Sequence, residues 1–133
     1  MSIVKGVYVL AIFVRKDISV NVGTLRCINF EKGLYAYVGS AQNNLEKRIE
    51  RHLRKAKRKF WHIDNLLGNE FVKVLKVFHK TAERPEECKI AKELSKRGVP
   101  IKGFGSSDCT CKSHLFKLQD YEFLREFAHE YKW

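Results

Sequence analysis

The first apolar stretch of the chain is unbroken. Gly6 to Val14 reads GVYVLAIFV, without a charge, the pattern of a strand buried on both faces. Arg15, Lys16 and Asp17 make a turn. Ile18 to Val22 then alternates apolar with polar residues, which predicts a half-buried strand paired with the first run as a hairpin. Gly23 punctuates the chain, Leu25 to Phe30 continues extended, and Glu31-Lys32-Gly33 makes the next turn. Leu34 to Gly39 (LYAYVG) puts Leu34, Ala36 and Val38 on one face and Tyr35 and Tyr37 on the other. The short links between these runs predict an antiparallel meander.

The spacing then becomes helical. Leu45, Ile49, Leu53, Ala56 and Phe60 form one stripe, and Asn43 or Asn44 suits the N-cap, so a helix is expected to about Lys59. Phe60 to Leu67 (FWHIDNLL) reads as a second, short helix ended by Gly68-Asn69. Phe71 to Phe78 interleaves apolar residues with Lys73 and Lys76 and reads as an edge strand that lysines protect. Pro85 opens a helix that Glu86 to Arg97 continues and Gly98 closes. Gly98 to His114 is turn-rich, Leu115 to Leu118 a short strand, and Tyr121 to Tyr131 a terminal amphipathic helix carrying Phe123, Leu124, Phe127 and Tyr131. The expected class is α/β of the α+β kind, a small, mostly antiparallel sheet flanked by helices. Without an internal repeat, low-complexity segment or linker, residues 1–133 read as one domain.

Composition narrows the function classes. A chain of 133 residues with 44% hydrophobic content can fold around a core. No apolar run reaches the roughly 18 residues of a membrane helix. The start, MSIVKGVYVLAIFV, has some look of a signal peptide but lacks a small-residue cleavage site and reads better as a strand, so the expected location is the cytoplasm, with no membrane partner. Net charge is +11, from 26 basic and 15 acidic residues, which favours nucleic acid ahead of an anionic membrane surface. The 31% charged content also suits a thermophile. Four cysteines do not make a secreted disulfide scaffold at this size.

The charge is concentrated in the first helix. Leu45 to Lys59 holds eight Lys or Arg against two Glu. Such a helix repels itself along its length, so a polyanionic partner explains it better than a solvated face does. Arg48, His52, Lys55 and Lys59 step along one line beside the apolar stripe, and Arg51, Lys55, Arg58 and Lys59 are the candidates for contact with a nucleic-acid backbone.

The order of these features carries a resemblance. Gly6-Val7-Tyr8 on the first strand, Tyr37-Val38-Gly39 on a later one, Ser40-Ala41 and the Arg48…His52 helix resemble the signature of the GIY-YIG nucleases. YVGSA, RHLRKAKRKFWHIDNLL, EECKIAKEL and GFGSSDCTCKSHLF together are similar to a branch of that superfamily, a domain of unknown function found beside, or fused to, endonuclease III. The likeness spans nearly the whole chain. It implies a three-stranded antiparallel sheet flanked by helices, and hydrolysis of DNA phosphodiesters with a single divalent cation, Mg²⁺ or Mn²⁺, in DNA repair or processing. DNA is then the partner, with other repair enzymes such as endonuclease III beside it. It further implies Tyr8 and Tyr37 as the motif tyrosines, Arg48 as the helix arginine, His52 one turn later, and His62 after the basic stretch. Glu87 becomes the metal ligand, with Glu86 as the fallback. The chain departs from the pattern in its spacer: some 28 residues, Val9 to Ala36, separate the motifs. The surplus is read as an extra strand from Ile18 to Phe30 that widens the sheet or shades the cleft.

Elementary chemistry fits those roles. Phosphodiester hydrolysis needs a nucleophilic water, neutralisation of the phosphate charge and stabilisation of the leaving oxygen. A hard cation takes oxygen ligands and keeps several waters, so one carboxylate can hold it beside a phosphate. Arginine grips phosphate oxygens bidentately, which lysine cannot copy. An isolated tyrosine titrates near 10, so as a base it needs a neighbouring cation; His52 is the competing base. Two other readings stay open: a catalytically silent nucleic-acid-binding module of the same fold, and a structure-specific RNA-binding protein or RNase.

Cys88, Cys109, Cys111 and His114 pose a separate question. They supply the sulfur and nitrogen ligands of a structural Zn²⁺ site. A disulfide from Cys88 to Cys109 or Cys111, and buried free thiols, are the rival readings.

Overall fold

The computed structural model describes residues 5–22, 26–54, 62–104, 111 and 113–132. In chain order they form β1 (Gly6–Val14), β2 (Ile18–Val22), β3 (Arg26–Phe30), β4 (Gly33–Ala41), α1 (Leu45–Leu53), α2 (His62–Leu67), β5 (Val72–Lys80), α3 (Glu86–Arg97), β6 (Val99–Pro100), β7 (Leu115–Leu118), a 3-10 helix (Glu122–Glu126) and β8 (His129–Tyr131). Six strands make one antiparallel sheet in the order β6-β7-β4-β1-β5-β8, and β2 and β3 form a separate pair. The expected mixed, mostly antiparallel class is what the chain adopts.

The unbroken apolar run explains the centre. β1 pairs with β4 along its whole length, from Gly6 opposite Ala41 to Val14 opposite Gly33, and with β5 on its other edge. Both faces of β1 are covered, so neither can be polar. Tyr8, Leu10, Ile12 and Val14 face a core built with Tyr35, Tyr37, Leu45, Ile49 and Leu66; Val7, Val9 and Ala11 face Ala36, Val38, Ile90 and Leu94 on the other side. The period of two along each strand sets this division. Helices α1 and α2 therefore cover the tyrosine face and α3 the opposite one.

Three expectations about pairing are corrected. The meander does not form: β2 pairs with β3, not with β1, whose two edges are already taken by longer strands. The β2–β3 hairpin does not widen the sheet. Its apolar side, Val20, Val22, Ile28 and Phe30, joins the core on the tyrosine face, with the Phe30 ring against Tyr35 and Phe104 at 5.8 and 6.2 Å between centroids. The strand β5 is internal at its C-terminal half, where Val77, Phe78 and His79 pair with β8.

The last of these follows from a fourth correction. The chain end is not one amphipathic helix. A 3-10 turn buries Phe123 and Leu124, and His129 to Tyr131 then extend along β5. Glu130 holds this arrangement by accepting from Lys76 on β5 and from Arg125 of the turn, and the added strand covers an edge that would otherwise offer unpaired backbone groups.

Helix α1 also ends sooner than its stripe suggests. Asn44 caps it, accepting from the Lys47 backbone N–H at 3.1 Å, but Arg54 is already extended. The remainder of the predicted helix, residues 55–59, and the first two residues of the predicted second helix, 60–61, lie outside the described residues. Among the described residues no helix is long and apolar enough to cross a membrane.

Candidate active site

Tyr8 lies directly opposite Gly39 in the β1–β4 ladder, and its ring passes over that glycine. A Cβ on Gly39 would stand 2.5 Å from both Cζ and Oη of Tyr8. The motif glycine is thus the space that the motif tyrosine occupies. Gly39→Ala must displace the ring, and overpacking of this kind costs about 1–3 kcal/mol. The expected result is a lower Tm in thermal denaturation; an unchanged Tm would show that the ring has room to turn aside.

The displaced ring would lose a specific partner. Tyr8 Oη is 2.7 Å from Nε2 of His52, and both residues are 2% exposed. His52 belongs to the buried face of α1 with Leu45 and Ile49, rather than to the line beside the apolar stripe on which helical spacing placed it. Tyr37, two residues before Gly39 on β4, closes a triangle of rings: its centroid is 6.4 Å from Tyr8 and 6.2 Å from His52.

Three charged groups act on this triangle: Arg48, Glu87 and, more weakly, Asp64. Arg48, one turn before His52, donates to the Ser40 carbonyl at 3.2 Å and hydrogen-bonds Tyr8. Burial pushes the Tyr8 phenol far above its usual range, and the Arg48 guanidinium pulls in the other direction without cancelling it. Tyr37 is also raised well above the usual value, first by burial and then by the charges a tyrosinate at Tyr8 and the Glu87 carboxylate would set against it. Both phenols therefore keep their protons at neutral pH. Glu87, in the first turn of α3, is within electrostatic reach of both tyrosines. The fallback carboxylate is engaged elsewhere: Glu86 accepts from Lys80 Nζ at 2.6 Å, which holds it below the usual carboxylate range.

The structure thus brings Tyr8, Tyr37, Arg48 and His52 together, with Glu87 acting on the two tyrosines through its charge. His62 stands in a second row, with its ring 5.7 Å from Phe104, itself 6.3 Å from Tyr37. Arg51 takes a different place from the one its charge suggests. It donates two bonds of 2.9 Å to the fully buried Asp64 of α2, so its guanidinium is turned to the fold and not to a polyanion. Asp64 and Phe104 were not among the expected residues. An acid inside the apolar run HIDNLL was the available signal for Asp64; for Phe104 it was the stretch GFGSSDCTCKSHLF, which opens at Gly103. Lys55, Arg58, Lys59 and Cys109 lie outside the described residues.

A second cluster adjoins the first. Ligand atoms of Cys88, Cys111 and His114 all lie within 4.8 Å of one another. Neither Cys88 nor Cys111 is in a disulfide, so neither rival pairing forms. His114 Nδ1 is 4.0 Å from the Glu87 carboxylate.

The fold and site define an α+β protein whose central antiparallel sheet buries a Tyr–Tyr–His cluster flanked by an arginine and a carboxylate. The chain belongs to the family described as "Domain of unknown function DUF123", whose profile matches residues 7–132. Neither the curated proteins nor the solved structures contain a significant match.

Proposed function

We propose that the protein is a metal-dependent DNA endonuclease of the GIY-YIG type, hydrolysing phosphodiesters in repair or processing. One observation carries this reading: Tyr8, Tyr37, Arg48 and His52, from two strands and one helix far apart in sequence, meet in one cluster, with Glu87 of a second helix within electrostatic reach. The β4–β1–β5 centre, flanked by α1, α2 and α3, agrees with the three-stranded core that the resemblance implies.

The donor set suits a hard divalent cation. Glu87 offers carboxylate oxygen on a side chain that is 15% exposed, shielded yet open to solvent, and the phosphate and waters supply further oxygens. Such a cation neutralises phosphate charge and acidifies an attacking water. The chain's own groups do the rest. Arg48, half-buried beside Tyr8, is placed to hold a phosphate oxygen and to stabilise the charge that grows there. A free tyrosinate is disfavoured by burial, which argues against Tyr8 as a simple base. The 2.7 Å contact offers another route. With His52 Nε2 as acceptor, Tyr8 takes a proton from water while passing its own to the imidazole, so His52 is the base and Tyr8 the relay.

The burial of the tyrosines, 2% for Tyr8 and 8% for Tyr37, favours one alternative: a DNA-binding module of this fold without turnover. The same assay separates them. The full chain is incubated with branched, nicked, abasic and plain DNA, with and without Mg²⁺ or Mn²⁺. Cleavage that needs the cation is expected on at least one substrate. Binding to all of them with no cutting of any would leave the module.

A further inference from the structure

We propose that Cys88, Cys111 and His114 bind one zinc ion, and that this ion fastens the first turn of α3 to the segment leading into β7. The three ligand atoms already lie within 4.8 Å of one another, close to the separation of neighbouring corners of a zinc tetrahedron once the side chains settle. Two thiolates and an imidazole select Zn²⁺ over the hard cations that suit Glu87. Two thiolates also neutralise the ion, so the site can sit in a partly buried place without leaving a charge unpaired. Cys88 and Cys111 are half-buried and His114 almost wholly buried, so the three ligands are shielded from bulk solvent.

The ligands come from segments far apart in sequence. Cys88 follows Glu87 on α3. Cys111 and His114 belong to the stretch before β7, where the His114 carbonyl accepts from the Val38 backbone N–H at 2.9 Å and the His114 N–H donates to the Phe104 carbonyl at 2.8 Å. Val38 adjoins Tyr37, and the Phe104 ring packs on Tyr37. An ion on these ligands would therefore tie the Glu87 turn to the strand that carries Tyr37. That positioning role rests on the nuclease reading; zinc binding does not.

The test starts from the full chain, stripped with chelator and titrated with Zn²⁺ or Co²⁺. One equivalent is expected, with a cobalt–thiolate charge-transfer band and the visible bands of a tetrahedral centre, and a higher Tm on zinc addition. Cys88→Ser and Cys111→Ser should each weaken zinc by more than about 100-fold, beyond what loss of an outer partner costs. Cys27→Ser, in the exposed hairpin, should leave affinity unchanged. Should the variants fail to fold, alkylation of the unaltered chain decides: zinc should protect Cys88 and Cys111 and not Cys27. Substoichiometric zinc, a cobalt spectrum without thiolate bands, or equal alkylation with and without zinc would overturn the proposal. Zinc binding in a chain that never cuts DNA would sink the nuclease reading alone.

Discussion

Arg48→Ala and Glu87→Gln should each lower the rate of Mg²⁺-dependent DNA cleavage by about 10²–10³-fold, the loss typical of removing one preorganised charge partner from a transition state. The two substitutions should differ in binding. On the proposed reading Glu87→Gln removes a negative charge that would face the substrate, so DNA affinity without metal should hold or rise. Arg48→Ala should weaken affinity modestly and the chemical step strongly, because the guanidinium stands beside Tyr8, where the reaction's charge would develop. Arg48→Lys should not restore the rate, since an ammonium cannot reach Ser40, Tyr8 and a phosphate with one rigid fork. Single-turnover cleavage with a parallel binding titration reads both quantities. Wild-type rates in both variants would place the chemistry elsewhere.

The parts of the fold legible in the sequence were those set by local spacing. The faces of β1 and β4 follow from a period of two, and the limits of α3 from Pro85 and Gly98. What could not be read depends on partners far away in the chain. The β2 pattern fits pairing with either neighbour; the choice of β3 was made by β4 and β5 filling both edges of β1. Residues Tyr121 to Tyr131 carry a helical pattern, yet an open edge of β5 and the bonds of Glu130 to Lys76 and Arg125 draw the end of that segment into a strand. The site shows the same division. Tyr8, Tyr37 and Arg48 were visible because their order along the chain is specific. The burial of His52 was not, since a helical wheel places it at the margin of the apolar stripe, and Tyr8 and Tyr37 on the neighbouring strands turn that margin inward.

The buried pair Arg51–Asp64 carries the largest expected effect on stability. Asp64 is fully buried, and its two oxygens each take one bond of 2.9 Å from Arg51, whose side chain is 15% exposed. Breaking such a pair from one side leaves the other charge in a poor solvent, so Asp64→Ala should cost about 3–5 kcal/mol. For a chain of this length that is a fall in Tm on the order of 10–20 °C. Replacing both members with apolar residues, Arg51→Met with Asp64→Leu, should recover most of the loss, because no charge is then stranded. Thermal denaturation of Arg51→Met, Asp64→Leu and the double variant closes the cycle. The pair also bears on the site, since Arg51 lies on α1 between Arg48 and His52 and is fastened by Asp64 to α2. If the double variant regains its Tm yet cuts DNA slowly, the ion pair sets the angle of α1, and with it the reach of Arg48. If Asp64→Ala costs less than about 1 kcal/mol, the range of an exposed ion pair, then solvent reaches the carboxylate and α1 is held by its apolar face alone.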